Sequence, residues 1–203
     1  FEKAYWNKDV DVTDIINSAT YQFTLGVNTI ASYYNFELIP YSDRKLFQEY
    51  MGRLNYMFSD TEHIAPVLIH IPMVGAWERY QAPGEKYWHV GPGPVAEGQV
   101  KPVRELEESY GALLSRLMDS QWDFDLIDDR GLVEECNVNA SNKITTKFEE
   151  FKTLVIFDTG YLEPETAATL LKFINSGARI IVLNMPDTEL TDFFKEIKEK
   201  LIV

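Results

Sequence analysis

From Val12 the apolar residues Val12, Ile15, Ile16, Ala19 and Phe23 recur with the spacing of one helix face, and Gly26 stands where a left-handed cap closes such a helix. The pattern predicts a helix ending near Leu25. Val27 to Tyr33 is β-branched and apolar with little charge, which predicts a buried strand. After Pro40, Ser42 is placed to cap a second helix with the stripe Leu46, Phe47, Tyr50, Met51, Leu54, Met57 and Phe58. The chain therefore opens as an α-β-α segment.

Beyond Ser59 the rhythm changes. Ala65 to Met73 reads as an apolar strand, and residues 74–101 read as a long loop rich in glycine, proline and aromatics. Pro102 opens a helix with Leu106, Tyr110, Leu113, Leu114, Leu117 and Met118 on one face. A short strand follows at Phe124 to Ile127, then an excursion over 131–150 with one or two short strands. Thr153 to Phe157 is the next strand, Pro164 to Asn175 a helix stopped by Gly177, and Arg179 to Leu183 another strand. Thr188 to Leu201 has the stripe of a last amphipathic helix. Apolar strands alternating with helices predict an α/β fold, a parallel sheet with helices on both faces. The first 60 residues fit either further units of that sheet or the closing units of a separate barrel.

Composition leaves this globular picture in place and narrows the partners. Hydrophobic residues make up 45% and charged residues 25% of 203 positions, and no low-complexity tract or repeat interrupts them. A formal charge of -13 argues against nucleic acid and anionic membranes, which require clustered Lys and Arg. One cysteine, Cys136, excludes an internal disulfide and a cysteine-rich metal site, and leaves the compartment open. No apolar run reaches the roughly 18 residues of a membrane span. Residues 1–13 carry neither a cap nor a periodic pattern, and on that ground the chain is read as a piece of a longer one.

Few residues advertise chemistry. His63, His70 and His89 do not share a helix face and no H-E-x-x-H pattern occurs, so zinc is not expected, and His70 is read as a buried core histidine. Asp123, Asp125, Asp128 and Asp129 lack the glycine and distal glutamate of an EF-hand loop and are read as a solvated strand end. Cys136 lies in "VEECNVN" without the glycine-flanked turn of a glutaminase nucleophile. "GPGP" at 91–94 puts prolines where a phosphate loop needs amide donors, so no cofactor is expected. The loop with Trp77, Tyr80, Tyr87, Trp88 and His89 leaves the carboxyl end of a predicted parallel strand, where such sheets take ligands.

The segments "YWNKDVDVTDIINSATYQFTLGVNTIASYY", "GRLNYMFSDTEHIAPVLIHIP", "DFDLIDDRGL" and "TLVIFDTGYLEPETAATLLKFINSGARIIVLNMP" together carry a resemblance that covers nearly the whole chain. They resemble the end of the catalytic barrel and the following flavodoxin-like domain of rhamnosidase-type glycoside hydrolases, and more distantly the barrel and trimerisation domain of family 42 β-galactosidases. Its strongest items are Gly26-Val27-Asn28, the Arg53-Leu54 helix feeding His70-Ile71-Pro72, and Asp125, Ile127 and Asp128 ahead of the Leu154 strand.

The resemblance implies a remnant of a (β/α)₈ barrel over residues 1–60, followed by a flavodoxin-like (Rossmann-like, glutamine-amidotransferase-like) three-layer domain over 61–203. It implies that the parent cleaves O-glycosyl bonds, that its partner is an oligo- or polysaccharide, and that the second domain supports or caps the glycan site, with homo-oligomerisation suggested by the β-galactosidases. Barrel enzymes carry their sites at the carboxyl ends of the strands, so Tyr33 and Tyr34 become sugar contacts, joined by Trp77 and Trp88 from the long loop. The family usually shows a histidine where tyrosine stands here. The resemblance implies that the carboxyl pair of glycoside hydrolysis comes mainly from strands upstream of Phe1, with Glu2 and Glu37 the acidic candidates near the rim within this chain. The other reading is a stand-alone, non-catalytic α/β ligand-binding or oligomerisation domain.

Overall fold

A computed structural model of the protein describes residues 11–30, 39–80, 101–157 and 162–183. The chain divides into two units, Phe1–His63 and Ile64–Val203.

In the first unit α1 (Val12–Thr24) begins at Asp11, whose carboxylate accepts from the Thr13 amide at 3.0 Å. It buries Val12, Ala19 and Phe23, and Gly26 takes the left-handed conformation at φ 86° after its end. α2 (Tyr41–Phe58) packs on it. The Phe23 and Phe58 rings lie 5.7 Å apart, and the Thr20 and Tyr50 hydroxyls meet at 3.0 Å.

Two expectations change here. Ser42 lies inside the first turn of α2 and its hydroxyl donates to the Asp43 carboxylate at 3.2 Å, so the helix starts from Pro40 without a side-chain cap. Val27 to Ile30 form neither helix nor strand, and Asn28 and Thr29 are exposed. β-branched residues form a buried strand only beside another strand to complete the ladder, and the described elements of this unit are two helices. Residues 31–38, with Tyr33, Tyr34 and Glu37, lie outside the described residues.

The second unit is an α/β layer structure. Its described elements are β1 (Val67–His70), α3 (Met73–Arg79), α4 (Lys101–Asp119), β2 (Phe124–Ile127), α5 (Asp129–Glu135), β3 (Asn137–Val138), β4 (Ile144–Thr145), β5 (Glu150–Phe151), β6 (Thr153–Phe157), α6 (Pro164–Asn175) and β7 (Ile180–Leu183). The four longer strands form one sheet in the order β2-β1-β6-β7, every neighbour parallel. Strand alternation sends Val67, Ile69 and Val155 to one face, against Tyr110, Leu113, Leu114 and Leu117 of α4. Leu68, Leu154, Ile156 and Ile180 point the other way, against Leu132 of α5 and Leu170 and Phe173 of α6. Because both faces are covered, the central strands are apolar but for Thr153 at the start of β6 and His70 at the end of β1.

Residues 131–150 are more regular than their composition suggests. They hold most of α5 and two strands of a small antiparallel sheet, β3-β4-β5, whose Ile144 and Phe151 join the α6-side core. Met73 to Arg79, expected to split between strand and loop, form α3. Residues 81–100 and the predicted helix 188–201 lie outside the described residues.

On the α4 face the Tyr110 ring stands edge-on to Phe157, with centroids 5.4 Å apart. Burial pushes its phenol up to about 12, and among the described residues no group pairs with the hydroxyl. A buried hydroxyl without a partner costs its desolvation, so Tyr110→Phe is expected to leave stability unchanged or raise it by up to about 1 kcal/mol. Urea unfolding checks this. A loss of that size would mean that the hydroxyl has a partner in the folded protein.

Candidate functional site

An open parallel sheet binds ligands beyond the carboxyl ends of its strands, where the strand order reverses direction. Here the order β2-β1-β6-β7 places that reversal between β1 and β6. Three polar side chains meet in this region on the α6 side of the sheet. His70 ends β1 with the same facing as Leu68, Asp129 starts the helix that follows β2, and Thr166 lies in the first turn of the helix that follows β6.

All three are buried, at 1% exposure for His70, 6% for Asp129 and 0% for Thr166. His70 Nε2 lies 3.2 Å from Asp129 Oδ2, close enough for the ring to stabilise the carboxylate. Burial by itself raises the Asp129 carboxyl, but the His70 ring and the Thr166 hydroxyl outweigh it and hold the group below its ordinary value of 3.8. Asp129 thus joins the end of one strand to the starts of two helices.

Local chemistry explains why the chain turns there. Asp128 is the N-cap of α5 and its carboxylate accepts from the Gly131 amide at 2.7 Å. A Cβ at Gly131 would stand 2.9 Å from Ile127 Cγ1 and 3.1 Å from Asp128 Oδ1. Glycine is what lets the helix start pack against the strand it leaves.

Of the residues singled out as sugar contacts, the described region holds Trp77, on α3 just beyond β1, with 66% of its surface exposed. Tyr80 follows at 59%. Glu2, Tyr33, Tyr34, Glu37, Trp88 and His89 lie outside the described residues. The solvated reading of the acidic cluster is overturned at Asp129, which is buried against His70. Asp128 spends its carboxylate on the cap, and Asp123 accepts from the Phe124 amide at 3.1 Å. His70 has the burial expected of a core histidine; no local pattern links it to Asp129, which is distant in sequence and starts the short helix α5.

Cys136 closes α5 at 5% exposure within the apolar core. Burial, helped by Glu135, pushes its thiol up to about 11, the opposite of what a nucleophilic cysteine needs. Among the described residues no helix is long and apolar enough to cross a membrane. The chain matches no protein-family model, and no curated protein matches it.

Proposed function

We propose that residues 64–203 form a flavodoxin-like domain that supports the glycan site of a carbohydrate-active glycoside hydrolase, with Trp77 as a sugar contact and catalysis supplied from outside the described residues. The observation that carries this reading is the position of Trp77: an indole two-thirds exposed on the first element beyond the carboxyl end of β1. Such a ring offers an apolar face to the C–H patches of a pyranose. The strand order β2-β1-β6-β7 is also the order in which a flavodoxin-like sheet begins. A supporting role agrees with the site's chemistry, because Asp129 and His70 engage each other out of solvent and Cys136 is held as a thiol.

The test is isothermal titration of the full chain and its Trp77→Ala variant with rhamnose, galactose and a pectin oligosaccharide. Binding by the parent chain with an affinity lowered about tenfold in the variant, roughly 1.4 kcal/mol, is the expected result. Equal affinity in both removes Trp77 from the site, and no heat with any sugar removes the carbohydrate reading from these residues. The second reading, an assembly domain, has one specific observation in its favour. β2 is the outer strand on its side of the described sheet and carries Leu126 at 46% exposure. Sedimentation of the same chain as a stable oligomer would favour it.

A further inference from the structure

We propose that α5 is an acid-released clasp: neutralising the Asp129 carboxylate at its start frees it from His70 and Thr166 and bares Cys136, while the four-stranded sheet stays intact.

α5 is held by the burial of Leu132 and Cys136 and, at its start, by the carboxylates of Asp128 and Asp129. With 7 residues, α5 is too short to be stable on its own. Asp128 supplies its cap at 2.7 Å, and Asp129 ties it to β1 and α6. Among the described residues its other charged pair, Arg130 with Glu134 at 3.0 Å, is mostly exposed and adds little. Leu132 in the middle of the helix and Cys136 at its end enter the core, so loosening the helix uncovers the thiol.

Apart from His70 itself the two central strands offer acid no comparable handle, and the outer strand β2 carries one acidic residue, the half-buried Asp125. Val67 to Ile69 and Thr153 to Phe157 contain no titratable side chain. Around Asp129 the titratable neighbour is His70 of β1; α6 contributes the neutral Thr166, while its Glu165 and the preceding Glu163 are exposed. The small sheet adds one pair, Lys143 and Glu150 at 2.8 Å, which lies on its outer face.

The sign of the effect follows from Asp129. Its carboxyl titrates below 3.8 while the clasp is closed and returns towards that value when the clasp opens. The contribution is whole above the ordinary value and lost as the pH falls through the lower one, so opening sets in below about pH 4.

Cys136 is the one cysteine of the chain and reports the opening directly. An aromatic disulfide such as 4,4′-dithiodipyridine exchanges with thiols even in acid, forming the mixed disulfide and releasing one thiopyridone. With rates normalised to a free model thiol, labelling of the full chain is expected to rise roughly tenfold below about pH 4 while the far-ultraviolet circular dichroism persists. Asp129→Asn is expected to show the raised rate at neutral pH and to flatten the step. Glu150→Gln is expected to keep the step, as is Asp128→Asn, which retains a capping side chain.

Labelling that rises only as the circular dichroism is lost overturns the proposal. So does an Asp129→Asn protein as protected at neutral pH as the parent, or a step abolished by Glu150→Gln. Should Asp129→Asn not fold, hydrogen exchange on the unmodified protein decides. Faster exchange over 129–136 than over 153–157 below about pH 4 supports the clasp, and simultaneous exchange overturns it.

Discussion

His70→Ala is expected to destabilise the second unit by about 3–5 kcal/mol, a large share of the stability of an ordinary domain. The loss has little to do with ring volume. Removing the imidazole leaves the Asp129 carboxylate buried at 6% exposure, with the Thr166 hydroxyl and its own helix start as remaining support. A buried charge deprived of its partner keeps its desolvation cost and loses the attraction that offset it. The double replacement His70→Leu with Asp129→Leu removes cost and attraction together, and is expected to be clearly less destabilising than the sum of the two single changes. Urea unfolding of the four proteins closes the cycle. Additive losses would show that the 3.2 Å approach contributes no coupling.

Phe173→Ala is expected to cost about 3–5 kcal/mol by a different route. The ring is 1% exposed and belongs to the same cluster as Leu154, Ile156 and Leu170, between α6 and the sheet. Truncation gives up its transfer energy and leaves a cavity that the parallel strands, fixed by ladders on both sides, fill poorly. Phe148→Ala is the matching control, since that ring is 81% exposed on the surface. Its effect is expected within about 0.5 kcal/mol. A Phe173 variant as stable as the Phe148 variant would mean that this core tolerates the loss of its largest α6 side chain.

Much of this core was legible in the sequence. Phe124 to Ile127, Thr153 to Phe157 and Pro164 to Asn175 match the predicted bounds, because a continuous apolar run and an N-terminal proline are local signals that burial reinforces. Gly26 and Gly177 take positive φ, 86° and 82°, at the helix ends where they were placed. α3 and α5 escaped for one reason: each has 7 residues and a glycine, Gly75 or Gly131, so neither displays a full apolar period. Val27 to Ile30 show the reverse error, since β-propensity records only what a pleated, half-buried surface would accept.

The candidate site was less legible than the fold. Trp77 stood out as an aromatic residue beyond a strand, a position that needs no knowledge of distant partners. The tie between His70 and Asp129 depends on β2 pairing with β1 in register, His70 opposite Ile127, which brings the start of α5 alongside the end of β1. No local pattern encodes that adjacency.

The strand order also fixes a sequence of events in synthesis. β1 is central, yet Val67 finds one neighbour at Phe124 and the other only at Thr153. Both closures are long, and contacts between such distant segments form late. Until the ribosome has released Phe157, the most apolar strand made so far has at best one side paired. During that interval the nascent chain presents an open, uncharged edge, the kind of surface on which misassembly begins and to which chaperones respond.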